Sequence, residues 1–347
     1  MKILVSAAKT GGHIFPAISV GEELETIGHE VIFVGSGAGI EVDSIRNTNF
    51  KYFSIPMEGF RGKSILNKVK SVMASIFNIF RLIKIIKVEK IDAMIGFGGF
   101  ITVPAGIACW ILRKPVFTHE QNSVLGSANK LLSRFSKINF IAFPLNKNVK
   151  NSIVVGNPIR SVFKNEPSKR KKDEKTRIYI TGGSQGADYI NKNIPASLKK
   201  VRNEILVKHQ CGAGKQGNIQ SLYEEFGIQA EVKDFYDNPN ELIEWCDFVI
   251  SRSGALTISE VSSMSRGLLM IPLPTAIDNH QFYNAKYIEN IRMGIMHQEQ
   301  EGAEILKKKI TDIVLQKTYN IWKSNQNKDH LNSASSIVKQ VLSLIHI

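Results

Sequence analysis

Short apolar, β-branched runs alternate with longer helix-patterned stretches along almost the whole chain, and this alternation restricts the fold more than any other feature. "KILVSA" (2–7), "VIFV" (31–34), "AMIGF" (93–97), "PVFTHE" (115–120), "RIYIT" (177–181), "EILVKHQ" (204–210), "DFVIS" (247–251) and "LLMIPL" (268–273) read as strands buried on both faces. Helix candidates fill the intervals at 16–27, 104–112, 186–200, 215–226, 255–265, 279–291 and 302–316. Such alternation implies a doubly wound α/β fold. With 347 residues, and ~100–200 residues per domain, two domains are expected. The basic stretch 164–176 interrupts the pattern and reads as the linker between an N-terminal domain, 1–163, and a second one, 177–330. A last helix candidate, within 331–347, could pack back on the first domain.

Charge narrows the partners. Lys and Arg number 45 against 31 Asp and Glu, a formal net charge of +14, which suits a polyanionic partner such as nucleic acid, an anionic membrane face or a phosphorylated substrate. The plainer reading is a general lysine bias, of which "SKRKKDEK" (168–175) would be a solvated example. Cys109, Cys211 and Cys246 lie far apart, which argues against a disulfide framework or a metal cluster and fits a reducing compartment. No stretch has the ~18 uncharged apolar residues of a membrane span. The N-terminal apolar run is too short for a signal peptide.

Three glycine turns stand where strands give way to helices: "KTGGH" (9–13), "TGGSQG" (181–186) and "RSGALT" (252–257). In open α/β sheets ligands bind beyond the carboxyl ends of strands, and glycine lets backbone N–H groups approach an anion. One such turn is often mere tight packing; three at equivalent strand ends point to a phosphate-bearing ligand. None matches G-x-G-x-x-G or G-x-x-x-x-G-K-[ST], which argues against dinucleotide and P-loop readings. No D-x-D triplet occurs, so a metal-chelated diphosphate has no support and neither metal nor cofactor is expected. Glu260 closely follows the third turn, where a carboxylate can accept hydrogen bonds from ribose hydroxyls.

"TGGHIFPA", "GFRGK", "GFGGF", "HEQN", "VGNPIR", "GGSQGA", "SRSGALTISE" and "DNHQ" together resemble the MurG family, in order and with family-like spacing from the first strand to about residue 290. The resemblance implies a GT-B fold, two Rossmann-like doubly wound domains facing across a cleft, with the lipid acceptor on the N-terminal domain. It implies an inverting transfer of N-acetylglucosamine from UDP-GlcNAc to undecaprenyl-diphospho-muramyl-pentapeptide, in peptidoglycan synthesis. It also implies peripheral attachment to the cytoplasmic face of the bacterial inner membrane, beside other cell-wall synthesis or division proteins. Carried over residue by residue, Ser184 would meet the diphosphate and the main chain of Tyr236 the uracil. Ala255, Leu256, Thr257, Ile258, Ser259 and Glu260 would line phosphate and ribose, with Glu260 on the hydroxyls. Gln281 and Asn284 would read the sugar, and Thr10, Gly11, Gly12, Asn122 and Arg160 match further substrate-contacting positions. The sequence departs from the family at Ala8 and Lys9, where two glycines are usual. Lysine there either strains a loop that needs positive φ or places a cation beside the acceptor's diphosphate.

The implied chemistry needs a base for the acceptor hydroxyl and charge stabilisation for departing UDP. His13 suits the base role by its near-neutral titration, with Glu120 as rival. The plainer alternatives are that His13 caps a helix starting at Pro16 and that Glu120 orders the "HEQN" loop. Residues 61–90 carry eight Lys and Arg and one acid, Glu89. On a helix Lys63, Lys70, Arg81 and Lys84 fall within about 60° of one another. Ile65, Val69, Val72, Ile76, Ile79 and Ile83 form a neighbouring stripe, with Phe77 and Phe80 at its border. This pattern predicts a helix lying in an anionic membrane interface, against the alternative of a core-facing stripe. Two rivals remain: a UDP-GlcNAc 2-epimerase, which has no need of that helix, and a basic nucleic-acid-binding module. The second lacks any recognition motif, so nucleic acid is not expected as a partner.

Overall fold

The computed structural model describes residues 1–8, 10–57, 65–163, 175–325 and 329–345, and for 65–72 the backbone alone. Lys9, Lys63 and most of the 164–176 linker lie outside the described residues. The chain divides into two compact units, one of residues 1–161 with the segment from Asp329 onward, the other of residues 162–328.

In the first unit the strands are β1 (Lys2–Ser6), β2 (Glu30–Gly35), β3 (Lys51–Ser54), β4 (Ala93–Gly96), β5 (Val116–Glu120), β6 (Ile138–Ile141) and β7 (Ser152–Val154). The helices between them are α1 (Gly11–Thr26), α2 (Gly39–Ile45), α3 (Ile65–Glu89), α4 (Thr102–Ile111) and α5 (Ser127–Leu132). All strands pair in parallel, in the order β3-β2-β1-β4-β5-β6-β7. The strands alternate their side chains between two apolar layers. Ile3, Val5, Phe33, Ile95 and Phe117 face one layer with α1, and Leu4, Ile32, Val34, Met94 and Val116 face the other with α3 and α4. Both faces are therefore covered, which is why the strands read as continuous apolar runs.

The second unit repeats the design with β8 (Thr176–Thr181), α6 (Asp188–Ser197), β9 (Ile205–Gln210), α7 (Gln216–Glu225), β10 (Ala230–Lys233), α8 (Pro239–Trp245), β11 (Phe248–Ser251), α9 (Ala255–Ser263), β12 (Gly267–Met270), α10 (His280–Asn290), β13 (Gly294–Met296), α11 (Ala303–Leu315) and α12 (Tyr319–Ser324). Its six strands are parallel in the order β10-β9-β8-β11-β12-β13. The last helix, α13 (Ser333–Ile345), belongs to the first unit, where Ala334, Ile337, Val338 and Val341 join the α1-side layer. Each sheet has one switch point, between β1 and β4 and between β8 and β11, where neighbouring strands send their connections opposite ways and a crevice opens.

Helix α1 begins five residues before the expected start at Pro16. Proline is favoured at a helix's first position, so Pro16 is a natural sequence signal for one. The chain instead turns helical at Gly11, with the carbonyl of Thr10 accepting from His13 and Ile14 N–H at 3.0 and 3.1 Å. His13 therefore lies inside the first turn and is not the cap of a helix starting at Pro16.

Candidate functional site

The first switch point gathers the residues expected to handle the acceptor. His13 donates from Nδ1 to the carbonyl of Ala8 at 3.2 Å, with the Thr10 hydroxyl also 3.2 Å away. A carbonyl can only accept, so Nδ1 carries the proton and the imidazole lone pair sits on Nε2. The ring rests on Gly98 of the "GFGGF" turn, where an added Cβ would come within 3.0 Å of it. Gly98 and Gly99 have φ of +102° and +89°, and the Thr102 hydroxyl pins the turn by donating to the Gly98 carbonyl at 2.7 Å. Gly98→Ala is expected to cost about 1–3 kcal/mol of backbone strain and to push the imidazole aside. Urea denaturation and kcat measured together check this: both must fall, and unchanged kcat would dissociate Gly98 from His13.

Arg160 places its guanidinium 4.8 Å from the Phe15 ring centroid, and Phe15 in turn packs on Gly11. This brings Arg160 to the glycine turn of Thr10, Gly11 and Gly12 from 150 residues away. Ala8 is buried against Gly99. Glu120 is buried, and its carboxylate accepts four bonds: Asn122 N–H and Nδ2 at 3.1 and 3.2 Å, Gly126 N–H at 2.8 Å and Asn129 Nδ2 at 2.9 Å. A carboxylate so engaged orders the "HEQN" loop and holds Asn122; its geometry matches the plainer alternative better than the base.

That loop is braced from behind. His119 donates from Nε2 to the Gly156 carbonyl at 2.9 Å, Ser333 donates to the same oxygen at 2.9 Å, and Asn157 N–H donates to His330 Nδ1 at 2.8 Å. Burial holds His119 down to about 4 and, with the charge of His119, His330 down to about 3. Folding keeps both rings neutral, whereas the unfolded chain takes up protons from about pH 6.5 downward. Stability is accordingly full above that pH and lost as pH falls toward 4. Between pH 7 and pH 5 the loss is about 2 kcal/mol per histidine. Urea midpoints at the two pH values test it, and equal midpoints would contradict it.

The second switch point, within the second unit, opens a cavity of 730 Å³, within the usual range of about 300–1,000 Å³ for small-molecule sites. Its walls include Thr181, Gly183, Arg252, Gly254, Thr257 and Gln281. The "GGSQG" turn needs its glycines, since Gly183 and Gly186 have φ of +84° and +71° and Gly186 abuts the carbonyl of Cys211. Ser184 is exposed at the tip of this turn. Gly254 is the N-cap of α9, leaving the first-turn N–H groups of Ala255, Leu256 and Thr257 without helical acceptors. Ile258 and Ser259 point into the core, Ser259 donating to the Ala255 carbonyl at 2.8 Å. Leu256 and Thr257 are half-buried, and Glu260 is 8% exposed and acts electrostatically on the Tyr179 hydroxyl. Tyr179 meets Tyr236 edge to face at 6.4 Å.

Two expectations change. Asn284 is fully buried and donates to the Ser253 carbonyl at 3.1 Å, so it braces the "RSGALT" turn from behind and does not line the cavity beside Gln281. The N–H of Tyr236 donates to Gln210 Oε1 at 3.1 Å, so contact of its main chain with a base falls to the carbonyl or requires Gln210 to give way. Gln210 itself carried no sequence signal, yet its Nε2 also donates to the Gly183 carbonyl at 2.9 Å, tying the phosphate turn to the Tyr236 loop. Asp278 and Asn279, both left-handed, launch α10 and set Gln281 in its first turn. Among the described residues no three His, Cys, Asp or Glu side chains converge on a metal-sized point.

Helix α3 splits its apolar residues between two directions. Leu82 and Ile86 are buried, with Ile79 and Ile83 packed against the same core. Phe77 and Phe80 stand 71% and 67% exposed, flanked by exposed Met73 and Ile76. Arg81 and Lys84 are exposed. Neighbouring α4 adds Trp110, 58% exposed, and Ile111, which the sequence pattern did not single out. The side chains of Ile65, Val69, Lys70 and Val72 lie outside the described residues. Among the described residues no helix is long and apolar enough to cross a membrane.

Comparison with known proteins agrees over both units. Residues 3–141 match the glycosyltransferase family 28 N-terminal domain and residues 177–341 the glycosyltransferase family 28 C-terminal domain. The chain is 35% identical to the UDP-N-acetylglucosamine–N-acetylmuramyl-(pentapeptide) pyrophosphoryl-undecaprenol N-acetylglucosamine transferase of Wigglesworthia glossinidia brevipalpis, over 99% of this chain and 98% of that one. The transferase of the same name from Alcanivorax borkumensis is also 35% identical, over 82% of each chain. The crystal structure of Acinetobacter baumannii MurG superposes with a TM-score of 0.85 at 29% identity, over 99% of both chains. With both family 28 domains matched and relatives of that name at 35% identity over most of its length, the chain belongs to the MurG family of glycosyltransferases.

Proposed function

We propose that the two sites serve the halves of one reaction, the transfer of N-acetylglucosamine from UDP-GlcNAc to the muramyl sugar of undecaprenyl-diphospho-muramyl-pentapeptide. The reading rests above all on one pairing: a 730 Å³ pocket walled by two glycine turns at the second unit's switch point, and an imidazole with its lone pair on Nε2 at the first unit's. His13 Nε2 takes the proton of the acceptor hydroxyl as its oxygen bonds to the anomeric carbon. The bond from that carbon to the diphosphate breaks, and UDP leaves with the electron pair. The N–H groups at the start of α9 and in the Ser184 turn receive the developing charge, and Glu260 holds the ribose hydroxyls. The family assignment sets this reading above the epimerase. A single displacement inverts the sugar, so NMR of the disaccharide product is expected to show a β linkage from the α-linked donor; an α linkage would refute it.

The enzyme meets its lipid acceptor through the outward face of α3 and the adjoining Trp110 of α4. Aromatic side chains at the rim of an exposed apolar patch, with cations beside them, suit an anionic bilayer surface. At about 1 kcal/mol per basic side chain, Arg81→Glu with Lys84→Glu is expected to weaken binding to phosphatidylglycerol vesicles at least about tenfold. Phe77→Ser with Phe80→Ser should do the same at high salt. Vesicle sedimentation measures both, and unchanged partitioning would remove α3 from the membrane surface.

A further inference from the structure

Arg252 follows β11 and lines the donor pocket, yet its guanidinium is turned onto the protein. One nitrogen, Nη1, donates to the carbonyls of Ile271 and Pro272 at 3.2 and 3.3 Å and to Glu299 Oε1 at 2.6 Å. Glu299 belongs to a single 3₁₀ turn beyond β13, so the arginine ties the ends of three neighbouring strands together. The two carbonyls it holds directly follow β12. The next residue, Leu273, donates its N–H to Gln281 Oε1 at 3.0 Å.

This short chain of bonds decides what Gln281 can say to a ligand. A backbone N–H can only donate, so the amide oxygen of Gln281 is fixed on Leu273 and its NH₂ is the group offered to the pocket. A sugar hydroxyl oxygen in the right configuration accepts from it; an epimer turns that oxygen away. We propose that Arg252 is a positioning residue for donor-sugar selection, acting through the carbonyls of Ile271 and Pro272 and the N–H of Leu273 to aim the amide of Gln281. The proposal rests on reading the pocket as the UDP-sugar site. Arg252 itself bonds to protein, with Glu299 taking its charge, and so the diphosphate is left to the turns at Ser184 and Gly254.

The test uses the full-length chain with a lipid acceptor and compares wild type, Arg252→Met, Arg252→Lys and Glu299→Gln. Three quantities are measured: KM for UDP-GlcNAc, the competitive inhibition constant of UDP, and the preference in kcat/KM for UDP-GlcNAc over UDP-N-acetylgalactosamine. Arg252→Met is expected to raise the donor KM and lower the sugar preference each by about tenfold, while the UDP constant stays at its wild-type value. Arg252→Lys, whose ammonium offers three donors on one nitrogen but lacks the planar guanidinium that fixes their directions, should recover part of the loss. Adding Gln281→Ala to Arg252→Met should cost no further preference, because the two act as one unit. A UDP constant rising in step with KM would overturn the proposal and make Arg252 a phosphate cation. Unchanged preference would also overturn it. If UDP fails to compete with the donor in the wild type, the donor-pocket reading itself falls, which is a separate and recognisable outcome.

Discussion

Replacing His13 by alanine is expected to lower kcat by about 10²–10⁴-fold, the usual range for loss of a positioned general base, with little change in the KM of UDP-GlcNAc. The imidazole is fixed by its own turn: Nδ1–H is held by the Ala8 carbonyl and the ring lies on Gly98. The lone pair on Nε2 is therefore set by the backbone. In a pH–rate profile the wild type should lose kcat on the acid side as the imidazole protonates, and the variant should lack that limb. The contrast with Glu120 sharpens the test. Its carboxylate already accepts four N–H bonds, so Glu120→Gln, which turns one acceptor into a donor, should disturb the loop and the acceptor's KM while keeping the acid limb. An intact acid limb in His13→Ala, lost in Glu120→Gln, would reverse the assignment.

Glu260→Gln is expected to raise KM for UDP-GlcNAc about 10- to 100-fold, since hydrogen bonds to a charged group contribute about 1.5–3 kcal/mol and each 1.4 kcal/mol is tenfold. The carboxylate lies in α9, about one turn beyond the first-turn N–H groups, and acts electrostatically on Tyr179. Ribose is common to donor and product, so the inhibition constant of UDP should rise by the same factor as KM. That parallel rise separates a ribose contact from the sugar-directed effect of Arg252, which spares UDP. A Glu260→Gln enzyme with raised KM and unchanged UDP affinity would place the carboxylate on the sugar instead.

The strands legible in the sequence were those covered on both faces, because full burial writes an unbroken apolar run. β6 escaped notice although it is buried, because Asn139 breaks its four-residue apolar run, and β3, β7, β10 and β13 escaped for the complementary reason. β3, β7 and β10 expose residues at or near sheet edges, and β7 and β13 are three residues long. The "TGGSQG" turn could be read because Gly183 and Gly186 need φ values that other residues resist, whereas Gly254 of "RSGALT" sits at an ordinary φ of −65°. Side-chain direction was less legible. Gln281 and Asn284 lie one turn apart in the same motif, but one lines the pocket and the other is sealed beneath Ser253. Arg252 sat in plain view within "SRSGALTISE", and its three acceptors come from residues 271, 272 and 299, which only the fold brings near. Trp110 was hidden similarly: a tryptophan in an apolar helix reads as core until its neighbours show which face is covered.

The most direct test of the account measures UDP release from UDP-GlcNAc by the wild-type chain with and without a short-chain lipid-linked muramyl-pentapeptide. Release is expected to depend on the acceptor and to match the disaccharide–lipid formed, one for one. Release or sugar isomerisation at the same rate without acceptor would contradict it, leaving the fold in place and the proposed transfer wrong.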